Sequence, residues 1–146
     1  MRAGGIFTLF DIGASALRAE RARMNVHANN MANANTTRDE HGRVNPYRRQ
    51  RVFLQTGAEE VTGSRDLGVS VKEVSPDYAS RLKYRYDPSH PDRVLEGEWK
   101  DHVAMPNVDV MQEMVDMMIA SRAYEANLTV IESAKAVHNG ALQIIA

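Results

Sequence analysis

Proline is confined to the middle of this chain. All five prolines lie between positions 46 and 106, so the first 45 and the last 40 residues contain none. A proline lacks the backbone donor that a helix interior requires and clashes with the preceding turn. The distribution therefore predicts two helix-permissive ends around a turn-rich middle. We divide the chain into an N-terminal helical arm and loop (1–40), a small β-rich middle domain (41–106) and a C-terminal helical arm (107–146).

The first arm carries apolar side chains at a spacing of seven residues, at Phe10, Leu17, Met24 and Met31. A heptad repeat predicts a helix with a narrow apolar seam of the coiled-coil kind. The seam is imperfect, because Arg21 occupies a position where a second apolar side chain is expected.

The last arm has the stronger pattern. One apolar row keeps a seven-residue spacing, and a companion row lies beside it: Val110, Met117, Tyr124, Ile131 and Ile145, then Met114, Leu128 and Leu142. A helix from Val110 to Ile144 would be about 50 Å long, which favours packing against another helix. Asn107 or Asp109 could cap its start, and Asp109 with Gln112 fits a capping box.

The middle is predicted to form short strands and turns. Tyrosines and basic residues alternate with period two from Arg81 to Tyr86, which is typical of a strand. Residues 69–71 and 52–54 have β-branched and apolar content of the same kind. The expected fold class is α+β, with two long terminal helices packed as an antiparallel coiled-coil-like hairpin and a small β-rich domain between them.

Composition excludes several classes of protein. There is no cysteine, so disulfides and cysteine-ligated metals are ruled out. The net charge of −1 creates no general attraction for nucleic acid or anionic membrane. No cleavable signal peptide and no membrane-spanning segment is expected, since acidic side chains interrupt the most apolar stretches.

Searches for chemistry give only weak candidates. The five histidines are scattered, and no phosphate-binding glycine motif is present. Asp87, His90 and Asp92 could bind a metal, although a solvated loop between two prolines is the favoured interpretation. The basic residues 48–51 could contact nucleic acid, although charged outward positions on a strand explain them better. We therefore predict no enzyme activity, no catalytic residue, no metal and no cofactor.

Asparagines at Asn25, Asn29 and Asn33 would form a ladder on one helix face. Asparagine is a poor helix former, so the ladder could mark a helix end. It could equally be a polar seam that fixes the register between packed helices. The pattern alone does not decide between the two.

Two motifs carry a resemblance to a known family. Residues 28–36 (Ala-Asn-Asn-Met-Ala-Asn-Ala-Asn-Thr) resemble the N-terminal signature of flagellar axial proteins, with Asn30 and Asn33 at its asparagines. Asn29 and Met31 stand where serine and leucine are usual. Residues 105–110, 113–114 and 121–127 resemble the C-terminal segment of proximal rod members of that family.

The resemblance implies a structural rod subunit that spans the periplasm and is exported without a cleaved signal. Its implied partners are other copies of itself, the rod proteins FlgB and FlgF, the adaptor FliE and the flagellar export apparatus, with no nucleic acid or small-molecule substrate. The predicted assembly interface is a set of residues on both arms: Phe10, Leu17, Met24, Asn29, Asn30, Met31, Asn33, Val108, Asp109, Met114, Met117, Tyr124, Asn127, Leu128 and Ile131.

Three alternatives remain at this point. Another flagellar axial protein is the nearest, although small size and the motif at 105–110 favour the proximal rod type. A cytoplasmic coiled-coil adaptor would share the heptads without the flagellar role. A small enzyme would need a pocket of converging polar groups in the middle domain.

Overall fold

A computed structural model describes residues 4–57 and 67–145 of the chain. The order of elements is helix, four strands, helix, with these bounds: α1 Gly4–Ala32, β1 Gln50–Thr56, β2 Val69–Pro76, β3 Lys83–Tyr86, β4 His102–Met105 and α2 Val110–Ile145. The α+β class and both terminal helices are confirmed. No helix in the described part of the chain has the length and apolar content to cross a bilayer.

Asp109 caps α2. Its Oδ1 accepts hydrogen bonds from the backbone nitrogens of Met111 (3.1 Å) and Gln112 (3.4 Å), which the first turn of a helix otherwise leaves unpaired. The predicted capping box is only half formed, because the Gln112 side chain donates to Asp116 Oδ1 instead. The carboxamide of Asn107 is not used as the cap; it contacts the middle of the chain.

The strands form two small sheets. β1 pairs with β2, and β3 pairs antiparallel with β4, from Lys83 opposite Met105 to Tyr86 opposite His102. The first three strands lie where they were predicted. The fourth, β4, was missed because its four residues include a single β-branched side chain, Val103, and so lack a strand signature.

The chain divides into two compact units, each drawn from several segments. The first comprises Met1–Asn25, Val52–Val74 and Met117–Ala146, and the second comprises Val26–Arg51 and Ser75–Asp116. These units cut across the three segments predicted from the sequence, whose independence as domains stays a prediction.

In the first unit, the buried side chains of the two helices are small. Ser15, Ala19 and Ala120 are buried. A β-carbon added to Gly13 of α1 would lie 2.7 Å from Cγ1 of Ile131 on α2, so these two residues are already in close contact. Small residues at such positions allow helix backbones to approach.

The burial along α2 corrects half of the predicted seam. In the first apolar row Met117, Tyr124 and Ile131 are half-buried, whereas Val110 is exposed at 43%. The companion row of Met114, Leu128 and Leu142 is exposed, at 43%, 41% and 52%. The residues beside the first row that lose exposure are instead smaller or polar: Ala120, Asn127 and Ala134. The prediction chose the row with the larger apolar side chains, but the row with smaller or polar side chains is the one that loses exposure.

The predicted seam of α1 differs in the same way. Its four heptad residues, Phe10, Leu17, Met24 and Met31, are only half-buried. The deepest positions on α1 are Ser15 and Ala19 in the first unit and Val26 and Asn30 in the second. The core of the second unit also includes buried residues around the start of α2, namely Val103, Met105, Pro106 and Val108.

Candidate functional site

A fully buried carboxylate lies at the centre of the second unit. Glu113, on the first turn of α2, has none of its surface exposed. Its Oε2 accepts a hydrogen bond from Asn30 Nδ2 at 2.9 Å and lies 2.7 Å from His27 Nδ1. Its Oε1 accepts a hydrogen bond from Arg49 Nε. Side chains from two distant segments, α1 and the residue before β1, thus converge on the carboxylate, as a buried charge requires.

Asn30 joins these segments with every polar atom of its side chain. Its Nδ2 donates to Glu113 and to the carbonyl of Gln50 (2.9 Å). Its Oδ1 accepts from the backbone nitrogen of Gln50 (2.8 Å) and the hydroxyl of Tyr47 (2.9 Å). Two donors and two acceptors are the full capacity of an amide side chain. Asn30 therefore fixes the end of α1 to the start of β1 and to α2.

Arg49 extends the cluster toward β2 and β4. Its guanidinium contacts Glu113 and, at 3.4 Å, the carboxylate of Asp116. Its backbone nitrogen donates to Asn107 Oδ1 at 2.8 Å, and Asn107 Nδ2 donates to the carbonyl of Asp77 at 3.0 Å. One bidentate amide thus links the residue before β1 with the residue after β2.

Burial and the neighbouring polar groups shift the pKa values of Glu113 and Tyr47. Burial alone would raise the pKa of the Glu113 carboxyl, but hydrogen bonds from Asn30, His27 and Arg49 outweigh it and hold the pKa below its ordinary value. Burial raises the pKa of the Tyr47 hydroxyl, and the negative charge of Glu113 adds to that effect. Glu113 is therefore a carboxylate at neutral pH, held by a cation and two hydrogen-bonding side chains.

A second buried carboxylate ties down the loop that follows α1. Asp92 Oδ2 accepts from the hydroxyl of Thr37 at 2.7 Å, and its Oδ1 accepts from Arg38 Nε at 2.8 Å. The Arg38 hydrogen bond, followed by that of Thr37, holds the pKa of Asp92 below its usual range. His90 Nδ1 accepts from the backbone nitrogen of Asp92. Asp92 is thus engaged by a cation and a hydroxyl, so the weak metal interpretation of Asp87, His90 and Asp92 gains no support.

Metal binding is also poorly matched to the central cluster. Ligand atoms of His27, Glu113 and Asp116 lie within 4.8 Å of one another, so they could be drawn as a metal site. Arg49, however, already supplies positive charge to both carboxylates. A metal ion would have to displace or repel that guanidinium. The arrangement is suited to holding segments together rather than to chemistry on a ligand.

Comparison with known proteins places these motifs in a family. Residues 10–38 match the family model described as "Flagella basal body rod protein", and residues 101–144 match "Flagellar basal body rod FlgEFG protein C-terminal". The flagellar basal-body rod protein FlgC of Borreliella burgdorferi is 40% identical over 97% of this chain and 98% of its own length. FlgC of Bacillus subtilis is 38% identical over 94% and 97%. FlgC of Salmonella typhimurium is 39% identical over 90% and 92%.

The chain belongs to the FlgC family of flagellar basal-body rod proteins. It is a structural subunit of the rod in the flagellar basal body, and its relatives bear the names of rod proteins, not of enzymes. The resemblance seen in the two terminal motifs is thereby confirmed.

The two FlgC-family motifs meet in the polar cluster. The N-terminal motif contributes the buried Asn30, and the C-terminal motif contributes Glu113, Asn107 and the cap Asp109. Sequence reasoning missed His27 and Arg49. No spacing in the sequence pointed to Arg49, which lies 64 residues before its partner Glu113.

The asparagine ladder behaves as a helix end in the FlgC-family chain. Asn25 and Asn29 are exposed. Asn33 Nδ2 donates to the carbonyl of Asn29 at 2.9 Å, and its Oδ1 accepts from the hydroxyl of Thr36 at 3.1 Å. These are local bonds that satisfy the last turn of α1. The buried amide that joins different segments is Asn30, which is not part of the ladder.

The remaining predicted interface residues differ in exposure. Val108 is buried, Met114 and Leu128 are exposed, and the others are half-buried or exposed: Phe10, Leu17, Met24, Asn29, Met31, Asn33, Asp109, Met117, Tyr124, Asn127 and Ile131. The basic run at 48–51 does not act as one continuous cationic patch, because Arg49 points inward to Glu113.

Proposed function

We propose that this FlgC-family subunit builds the proximal rod through its two terminal helices, packed as an antiparallel coiled-coil-like hairpin with the β-rich middle on the outside. One helix contact in each unit supports the hairpin. Gly13 lies against Ile131 in the first unit, and His27 lies against Glu113 in the second.

The observation that carries the proposal is the apolar surface that α2 leaves exposed. In the second unit it exposes Met111 (70%), Met114 and Val115, and in the first unit Leu128 and Val137 (71%) are exposed. Apolar side chains at helical spacing outside the intrachain contact fit a surface that neighbouring helices cover. Methionine suits contacts with non-identical neighbours, because its side chain is flexible.

The proposed partners follow from this role. They are other copies of the subunit, the rod proteins FlgB and FlgF, the adaptor FliE and the export apparatus, which would deliver the chain without a cleaved signal. The helices would form the wall of a periplasm-spanning tube that transmits torque and leaves a channel for exported subunits. The proposal includes no catalysis and no cofactor.

The test substitutes the exposed row of α2. We expect Met114→Asp and Leu128→Asp to reduce the amount of subunit in isolated basal bodies by at least about tenfold, since about 1.4 kcal/mol of lost contact energy suffices. Thr129→Asp is the matched control, because Thr129 is exposed on the same helix beside Leu128. Circular dichroism of each purified chain checks folding. Basal bodies with normal amounts of both folded variants would contradict the proposed interface.

A further inference from the structure

The second unit carries an open groove of about 560 Å³ with a basic and aromatic lining. Arg48 and Arg81 supply the charge, and Tyr78, Tyr84 and Trp99 supply the rings. We call this feature the arginine groove. It lies apart from the buried cluster around Glu113, and neither terminal helix contributes a residue to its lining.

The two arginines of the groove differ from most arginines of the same unit. Five others lie within 4 Å of a carboxylate: Arg38, Arg43, Arg49, Arg85 and Arg93. Arg48 instead donates to the carbonyl of Ser80 at 3.1 Å and lies 5.6 Å from the centre of the Tyr78 ring. Within the described ranges, neither Arg48 nor Arg81 has an acidic partner. The groove therefore has an uncompensated positive charge and fits a carboxylate-bearing occupant.

The aromatic lining adds a requirement for apolar contact. Tyr84 and Trp99 stack with their centroids 4.5 Å apart, yet both side chains remain more than 40% exposed. Tyr78 is 73% exposed. Exposed aromatic rings next to arginines are typical of the centre of a protein interface. The expected occupant therefore combines carboxylates with an aliphatic side chain.

A turn on the same unit has those properties. Residues 95–98, here called the acidic turn, are Leu-Glu-Gly-Glu. Leu95 is 67% exposed, and Glu96 and Glu98 are exposed as well. Gly97 has a φ of 95°, a conformation that favours glycine, and nothing lies within 4 Å of where its β-carbon would be. Over residues 4–57 and 67–145, neither glutamate has a hydrogen-bond or ion-pair partner.

We propose that the acidic turn of one subunit binds the arginine groove of a second copy. Glu96 and Glu98 would pair with Arg48 and Arg81, and Leu95 would contact the exposed rings. In the folded chain the turn does not occupy its own groove, since neither glutamate lies within 4 Å of either arginine. Each copy thus carries both halves of the contact, which is what a repeating assembly requires. The inference rests on the proposed self-assembly and adds a contact outside the terminal helices.

Charge reversal tests the pairing. Arg48→Glu with Arg81→Glu reverses the groove, and Glu96→Arg with Glu98→Arg reverses the turn. We expect each pair of changes to lower the rod yield in isolated basal bodies at least about tenfold, through repulsion and lost contact. A chain with all four changes should recover most of that loss, because both halves are then reversed together. Lys72→Glu with Glu73→Arg, two exposed charges on β2, is the matched control.

The outcomes separate the possible occupants. Loss with the groove variant alone, and none with the turn variant, would overturn the proposal and assign the groove to another acidic partner. Loss with both variants and no recovery in the fourfold variant would overturn it too. Normal rods from all three would overturn it while leaving the helix proposal intact, since Met114→Asp and Leu128→Asp test that separately. Circular dichroism of the full purified chains identifies a variant that fails to fold.

Disulfide cross-linking tests the same contact without the charge changes. Its result therefore stands even if one of the charge variants fails to fold. The chain has no cysteine, so Leu95→Cys with Tyr78→Cys introduces the only two thiols. We expect disulfide-linked dimers and higher oligomers from oxidised basal bodies with both cysteines, and none from either single variant. Equal dimer from Leu95→Cys alone, or none from the double variant in intact rods, would overturn the proposed contact.

Discussion

The side-chain nitrogen of Asn30 lies 2.9 Å from Oε2 of Glu113, 83 residues later in the chain. Asn30 is the last fully buried residue of α1, and Glu113 is the first of α2. Arg49 and Gln50 complete their hydrogen bonding from the start of β1. The ends of both helices are therefore held by polar contacts of fixed direction, which apolar packing alone would not provide.

The first prediction concerns a negative charge introduced at position 30. Asn30→Asp replaces the donor to Glu113 with a second carboxylate at about 3 Å. We expect a loss of about 3 kcal/mol in the free energy of unfolding at pH 7, measured by urea denaturation. The deficit relative to the native chain should narrow below pH 5, because one carboxyl of the pair then takes up a proton. Asn29→Asp, one position away and exposed, should change stability by less than about 0.5 kcal/mol. Equal effects at both positions would contradict the geometry of the cluster.

The second prediction concerns the ion pair. Glu113→Gln keeps the size of the side chain but leaves Arg49 without its buried partner. Because the Arg49 side chain keeps 27% of its exposure, water compensates in part, and we expect a loss of about 2 kcal/mol. Glu132→Gln, at an exposed position of α2, is the control. Arg49→Met should lower the free energy of unfolding less in the Glu113→Gln background than in the native chain. If the two losses simply add, the pairing of Arg49 with Glu113 would be contradicted.

The third prediction compares two helical glycines. Gly13→Ala places a β-carbon 2.7 Å from Ile131 Cγ1. Overpacking of about 1–3 kcal/mol should outweigh the gain in helix propensity of about 1 kcal/mol. Gly140→Ala meets nothing within 4 Å and should stabilise α2. Thermal unfolding should therefore shift in opposite directions for the two variants, and Ile131→Val should partly rescue Gly13→Ala. A stabilising Gly13→Ala would contradict the close helix contact.

The fourth prediction is loss of stability in acid. The folded chain lowers the pKa of Glu113, Asp92 and Asp77 relative to their ordinary values. Their contribution is present above the unfolded pKa of about 4 and disappears as the pH falls through the lower folded values. The urea midpoint should therefore decrease from pH 5 to pH 3. Asp92→Asn should lower the midpoint at pH 7 and flatten this dependence, whereas Glu132→Gln should not. A midpoint that rises on acidification would contradict the sign.

The absence of proline and the heptad spacing predicted the two helices. Alternation predicted β3, and β-branched and apolar content predicted β1 and β2. These patterns did not recover the partners of Glu113, since a carboxylate is normally exposed and its burial depends on Arg49, 64 residues away. For a related reason, the companion row predicted on α2 is not the row that is buried. Large side chains at Met114 and Leu128 suggested a seam. The helix contact seen in the first unit instead joins Gly13 to Ile131, and the buried residue of α2 there is Ala120. Glycine and alanine are too small to give a periodic apolar signal.

The exposed methionines of α2 have a consequence for how the subunit behaves before assembly. Met111 is 70% exposed and Met114 is 43% exposed in the folded chain. Under the proposed assembly, only another molecule can cover them, so their stabilising energy depends on subunit concentration. Growth should then begin above a critical concentration and from a preformed end, and the free subunit should remain dispersed below it. Under this proposal, the apolar side chains that α2 leaves uncovered make the start of rod growth depend on subunit concentration and on an existing end.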